Sequence, residues 1–283
     1  MQMKPFFLLL FFSFFLIHPI VSEEKPVPPG PPKEGYFIIT YKNYSVNLEI
    51  DVNGYSVRSG HSNDDSSGQA DINYWIIPGT NKLKVRLSER KTNKKDKNKS
   101  DFPKEAEVKL ILGQKGQFPD EGVLLHHYEW NETNQTNLGE WKEISFDPPF
   151  FPPSELWKQA ESLTLNQELE TSAIDFLKDF TKVLNTKDHK KILSATAFRA
   201  KDTSEVRYYP YNEVDELKSI QGMTKAIGST WKFNPIKIKF KLICNNQILE
   251  ITDPKGEPVI TSKKGAAIPI YLSRIGGKWV IVR

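Results

Sequence analysis

The sequence predicts an all-β sandwich followed by an α+β unit whose helices lie on a curved antiparallel sheet. Hydrophobic residues recur with period two up to residue 146, with a helical period from 154 to about 222, and with period two again from 236 onward. The first change of period falls on a proline cluster at 147–153 (DPPFFPP), where Pro148, Pro149, Pro152 and Pro153 cannot donate ladder hydrogen bonds. The predicted organisation is a signal segment at 1–22, a proline-rich linker at 23–34, a β-sandwich at 35–147, a second linker at 148–153 and the α+β unit at 154–283.

The N-terminal segment has the layout of a secretory signal. Lys4 precedes an apolar run over 6–17 broken only by Ser13, His18 and Pro19 interrupt it, and Ser22 supplies a small residue at the cleavage point. A membrane span needs roughly 20 apolar residues, so this run reads as a cleaved signal without a stable membrane anchor. The protein is expected to be exported, either periplasmic or secreted. The 23–34 stretch (EEKPVPPGPPKE) should be an extended polyproline-like spacer.

In the sandwich region Tyr44, Val46, Leu48, Ile50 and Val52 alternate with polar residues and run into Asn53–Gly54, a tight-hairpin dipeptide, after which Tyr55 and Val57 continue. Trp75 and Ile77 lead to Pro78–Gly79 and read as a strand. Leu83, Val85 and Leu87 alternate next, then Ala106, Val108, Leu110 and Leu112, and strands follow at 124–130 and 141–146. Phe150 and Phe151 should dock the linker on its neighbours.

Ser154 is placed to cap a helix carrying Leu156, Trp157, Ala160 and Leu163. The strongest helical stripe is Leu169, Ala173, Leu177, Phe180 and Leu184, widened by Ile174, Phe176 and Val183. A short helix through Ile192 and Leu193 follows, then one from Asn212 through Val214, Leu217 and Ile220 that stops at Gly222. Ile236, Ile238, Phe240, Leu242 and Cys244 alternate with Lys237, Lys239 and Lys241, a half-buried strand with a charged outer face. Strands at 247–252, 259–260, 268–272 and 279–282 complete the sheet.

Two resemblances follow from these residues. Ile50-Asp51-Val52-Asn53-Gly54, together with Ile72-Asn73-Tyr74-Trp75-Ile76-Ile77-Pro78-Gly79-Thr80-Asn81-Lys82-Leu83-Lys84-Val85, resembles the sugar-binding jelly-roll domain beside the barrel of family 2 glycoside hydrolases. That likeness implies a β-sandwich; no barrel follows, so no hydrolase activity carries over. From Ser154 to Arg283 the order of elements and the ending Ile275-Gly276-Gly277-Lys278-Trp279-Val280-Ile281 resemble the nuclear transport factor 2-like fold, a cone of helices over a curved sheet. That fold hosts isomerases, dehydratases and binding domains, so the likeness implies a shape and no single activity.

The chemistry is sparse. A formal charge of +4 gives no reason to expect nucleic acid or an anionic membrane, and the basic 89–99 stretch lacks the aromatics a nucleic-acid site would add. Sequons begin at Asn43, Asn98, Asn131 and Asn134; they are glycan sites in a eukaryotic secretory pathway and inert in a bacterial one. A single cysteine excludes an internal disulfide, and Cys244 is expected to be a buried thiol facing inward with Ile238, Phe240 and Leu242, its pKa raised. His126 and His127 are adjacent on a strand and face opposite ways, and neither a metal-ligand spacing nor a nucleotide or nucleophile motif is present. No metal or cofactor is therefore expected.

The inward stripes of the second region are Ile236, Ile238, Phe240, Leu242, Cys244, Leu249, Ile251, Ile268, Ile270, Leu272, Val280 and Val282, none of them an acid or a base. With no catalytic residue to assign, the sequence reads as a non-catalytic binding or assembly protein whose partner is an unidentified small molecule, glycan or protein. The competing reading is an isomerase- or hydrolase-type enzyme using the cavity of the second region. Candidate ligand contacts are Tyr208, Tyr209 and Tyr211 around Pro210, and Trp231; packing of core and linker is the alternative role for all four. If the export reading holds, intact-mass measurement of the protein purified from its own host should place the first residue near Glu23; an intact Met1 would remove it.

Overall fold

A computed structural model describes residues 34–59, 65–90, 103–133, 138–228 and 230–283. The signal segment, all of the 23–34 stretch but Glu34, most of the basic stretch, His61 and the sequons at Asn98 and Asn134 lie outside the described residues. The strands are β1 (Tyr36–Tyr44), β2 (Val46–Val52), β3 (Tyr55–Arg58), β4 (Ser66–Asp71), β5 (Asn81–Glu89), β6 (Glu105–Gly113), β7 (Val123–Asn131) and β8 (Trp141–Phe146). Helices α1 (Leu156–Gln159), α2 (Gln167–Thr186), α3 (His189–Val206) and α4 (Glu213–Ile227) follow. The chain closes with β9 (Trp231–Phe233), β10 (Lys239–Ile243), β11 (Ile248–Thr252), β12 (Ile260–Ser262), β13 (Ala267–Ile268), β14 (Ile270–Ile275) and β15 (Lys278–Ile281).

These strands form antiparallel sheets in the orders β4-β1-β6-β7, β3-β2-β5-β8, β13-β12-β9 and β10-β11-β14-β15. The first two enclose a common core, Phe37, Ile39, Val108 and Leu110 from one against Leu48, Ile50, Leu83 and Val85 from the other. A second core lies between α2 and the β10–β15 sheet. Leu169, Ala173, Leu177, Phe180 and Leu184 are all buried there against Leu249, Ile251, Ile270 and Leu272, so the helical stripe read from the sequence is the face that packs. Asn166 caps α2 by accepting the Leu169 N–H at 2.8 Å.

The proline stretch carries no strand. Even so, the described residues belong to one compact unit, and the first core takes in Leu156, Ile243, Cys244, Ile248 and Val282 from beyond that stretch. Phe150 packs 5.4 Å from the Phe37 ring, whereas Phe151 is exposed, so one of the two linker phenylalanines docks.

Several local expectations are corrected. Trp75 sits in a 3-10 turn (Asn73–Trp75) instead of a strand, because the buried Asn73 side chain accepts the Phe37 N–H at 2.6 Å and donates to Gly35 O at 3.0 Å, tying the segment across β1. Ser154 does not cap a long helix: its hydroxyl donates to Asp202, and α1 stops after one turn because Ala160 bridges Ile275 and the Glu161 N–H reaches Arg274 O at 2.9 Å. The short helix at Ile192 is the 18-residue α3. Helix α4 runs through Gly222, where an added side chain would meet open space, and ends at Gly228 in the left-handed region.

The stripe through Cys244 is also corrected. Ile236 is 71% exposed and lies outside β10. Ile238, Phe240 and Leu242 pack on the second core, but Ile243 and Cys244 join the first. Cys244, Asn245 and Asn246 all have positive φ (52°, 55° and 61°), and this left-handed turn carries the thiol to the opposite side of the sheet. The thiol is buried and its pKa is pushed up by desolvation, as expected; only its direction differs. The last strand shifts likewise: Trp279 and Ile281 meet the second core, Val280 and Val282 the first. The sequon asparagine Asn43 is fully buried and donates to Val46 O at 2.7 Å, which leaves no room for a glycan.

Two polar clusters join the layers. At the Asn53–Gly54 hairpin, Asn53 O accepts the Cys244 N–H at 2.7 Å, and Lys241 donates to Gly54 O while lying 3.6 Å from Asp51. Gly54 has φ of 92°, and a Cβ there would come within 2.8 Å of Ile243, so both conformation and proximity require glycine. In the second cluster, Arg283 pairs with Asp202 at 2.6 Å, with side chains 5% and 1% exposed. Asp202 also accepts from Ser154 Oγ at 2.9 Å and Leu156 N at 3.0 Å; Arg283 donates further to Tyr74 O at 3.2 Å. Replacing Asp202 with Ala would leave a buried guanidinium uncompensated, an expected loss of about 3–5 kcal/mol in urea unfolding. A loss below about 1 kcal/mol would place the pair in the class of solvated surface bridges.

Candidate functional site

The two clusters hold open a cleft of about 460 Å³ between the first core and the helices. Its walls are Tyr55 of β3, Asp71 at the end of β4, Tyr74 and Trp75 of the 3-10 turn, Tyr271 of β14, and Arg199 and Thr203 of α3. Glu216 of α4 and Arg283 complete the rim.

The aromatic wall is ordered by ring contacts. Tyr55 stacks on Trp75 with centroids 3.8 Å apart and planes 10° apart, and Tyr271 meets both edge-on at 5.9 and 5.0 Å. The Tyr271 hydroxyl donates to Glu250 Oε1 at 3.2 Å. Trp75 is held from behind as well, since Asn53 Nδ2 donates to Trp75 O at 2.7 Å and to Asn81 Oδ1 at 2.7 Å. Asn81 in turn accepts the Ile77 N–H at 2.9 Å and donates to Gly79 O at 2.8 Å. The sequence pattern that resembled a sugar-binding jelly roll is thus a hydrogen-bonded corner that fixes one wall of the cleft.

Charges sit around this wall. Asp71 accepts the Asn73 N–H at 3.0 Å and lies 3.2 Å from Arg207 Nε; burial raises its carboxyl pKa, partly opposed by those two contacts. Arg283 and Arg207 flank the Tyr74 ring at 5.7 and 5.9 Å. Arg199 differs from every other described arginine. Arg86, Arg90, Arg207 and Arg283 have ion pairs, and Arg58 and Arg274 lie over aromatic rings. Arg199 makes no hydrogen bond, ion pair or ring contact among the described residues; burial lowers its pKa and the field of Glu216 opposes that.

The four residues singled out from the sequence lie elsewhere. Trp231 is buried in the second core, its N–H and C=O both held by Asn185 at 2.8 and 3.0 Å. Tyr208 packs edge-on to Tyr36 at 5.8 Å and accepts the Gly35 N–H at 3.4 Å. Tyr209 lies 5.7 Å from Lys115, and Tyr211 lies 5.6 Å from Lys201. The cleft residues escaped notice because they come from six separated segments with no common spacing. The one available signal was the aromatic pair Tyr74–Trp75 before Pro78–Gly79. His127 bonds Glu107 at 2.9 Å and His126 lies 5.7 Å from Phe146, the opposite orientations expected. No group of His, Cys, Asp and Glu side chains fit to hold a metal occurs among the described residues.

Burial raises the phenol pKa of Tyr55 and of Tyr271, with Glu250 adding to both. A folded-state pKa above the unfolded value of about 10 stabilises the fold below that value and is lost as pH rises through the folded one. Ultraviolet titration should therefore show these phenols ionising only as the near-ultraviolet circular dichroism collapses, and Tyr271→Phe should remove one phenolate from that late step. Ionisation of every tyrosine before unfolding would contradict the packing described. Comparison with protein families, with curated proteins and with solved structures finds no match to this chain.

Proposed function

We propose that this chain is an exported, non-catalytic binding protein whose small ligand occupies the cleft between the sandwich strands and helices α3 and α4. The observation that carries the reading is the cleft itself: rigid aromatic walls with a few charged groups at the rim, the usual composition of a small-molecule site. Leu249, Ile251 and Leu272 are fully buried in the core against α2, which supports a packed interior there in place of a reaction cavity. Export rests on the sequence of residues 1–22, and a partner other than nucleic acid or membrane on the near-neutral charge. No helix among the described residues is long and apolar enough to cross a membrane.

One observation favours the isomerase or hydrolase alternative: Asp71 is a cleft carboxyl with a raised pKa, as a general base often is. Its position beside Arg207 and the Asn73 N–H supports a structural role instead. A nuclear magnetic resonance screen of aromatic acids, aromatic amides and disaccharides, read at the Trp75 indole, distinguishes the two. Binding without turnover is expected, and Thr203→Phe should abolish it by filling the cleft while leaving the fold intact. Turnover of a bound compound, blocked by Asp71→Asn, would establish the enzyme; shifts that survive Thr203→Phe would move the site elsewhere.

A further inference from the structure

We infer that the cleft selects a monoanionic carboxylate with a planar apolar body, the carboxylate received by the Arg199 guanidinium. The inference rests on the cleft being the binding site and adds the chemistry of its ligand. Arg199 faces the cleft from α3 with Ala200 and Thr203 beside it, and it is half-buried yet without any hydrogen bond or ion pair among the described residues. None of its nitrogens is among the buried unpartnered polar atoms, so the fork stays open to a ligand, and its planar geometry matches a carboxylate through two parallel hydrogen bonds. The other arginine of the cleft shows what satisfaction looks like: Arg283 has Asp202 at 2.6 Å and Tyr74 O at 3.2 Å.

The neighbours narrow the anion further. Glu216 and Asp71 line the same cleft. One negative charge can face Arg199 against that background, whereas a phosphate dianion would add repulsion from Glu216, Asp71 being paired with Arg207, without a second free cation to offset it. Lys and Arg side chains other than Arg199 and Arg283 do not line the cleft, and Arg283 is already paired. The half-buried Tyr55 and Tyr271 rings, backed by the buried Trp75, offer an apolar wall for a flat group, and about 460 Å³ suits a body of one or two rings.

The experiment uses phenylacetate, its neutral isostere phenylacetamide and phenyl phosphate, titrated into the whole protein and followed at the Trp75 indole resonance. Phenylacetate should bind at least about tenfold more tightly than phenylacetamide, the scale of one charge-assisted bidentate contact. Phenyl phosphate should be the weaker anion. Arg199→Gln should bring phenylacetate down to the level of the amide and leave the amide unchanged; Arg199→Lys should recover part of the difference. Equal binding of acid and amide, or an unchanged acid affinity in Arg199→Gln, would overturn the carboxylate assignment while leaving the cleft as a binding site. Preference for phenyl phosphate would replace the monoanion by a dianion and overturn it too. Failure of all three to perturb Trp75, with the fold intact by circular dichroism, would remove both the assignment and the cleft.

Discussion

The buried pair Asp202–Arg283 is the contact on which the arrangement of the layers depends. Its members come from α3 and from the end of β15's strand path, and its accessory hydrogen bonds recruit Ser154, Leu156 and the Tyr74 carbonyl. A buried ion pair is seldom a net source of stability, since desolvating both ions offsets much of their attraction. What it supplies is geometry. The charges are satisfied in one arrangement, so a shift of α3 against the Asn73–Trp75 turn would separate Arg283 from either Asp202 or Tyr74. The Asn73 side chain reinforces this by donating to Val206 O at 3.2 Å, the last residue of α3.

A second constraint acts at the other end of the seam. The Asn53–Gly54 turn is a hairpin solution within its own sheet, with φ of 53° and 92°. It is also the surface on which the β10–β11 turn rests, through the Cys244 N–H and Lys241. The left-handed run Cys244–Asn246 costs conformational energy in residues other than glycine. Burying Ile243 and Cys244 in the first core, and bonding the Cys244 N–H, are what hold that run in place. A single hairpin thereby contributes side chains to two cores, with Leu242 facing one and Ile243 the other.

Elements with one buried face were read more fully from the sequence than α3 and β10, which serve two cores. The α2 stripe was plain because one side meets the sheet and the other meets water. Helix α3 was read as a fragment because it has no single apolar side: Ile192 and Leu193 serve the second core, Phe198 the first, and its remaining buried positions are Thr196, Ala200, Asp202 and Val206. The Cys244 face was misread for a related reason, since period-two alternation presumes an unbroken strand and cannot register a left-handed turn. Asn53 was visible as a turn residue; the hydrogen bond it shares with Asn81, which stiffens the Trp75 wall, requires two segments to be in place at once.

The cleft inherits its shape from these same constraints. Tyr55 follows directly from the Asn53–Gly54 turn, Tyr74 and Trp75 belong to the segment gripped by Asn73 and Arg283, and Arg199 lies one turn before Asp202 on α3. Each of these four residues is therefore a near neighbour in sequence of a residue that locks the layers together. No local motif announces such a site, because its components are chosen by where the locks fall. Arg199 is the exception that gives it chemical character: the adjoining helical positions are committed to the core or to the ion pair, and this one guanidinium makes no hydrogen bond or ion pair among the described residues. An unfilled donor fork at a rigid aromatic wall is a feature of the folded chain alone, since in the sequence Arg199 is one more charge on an unremarked helix.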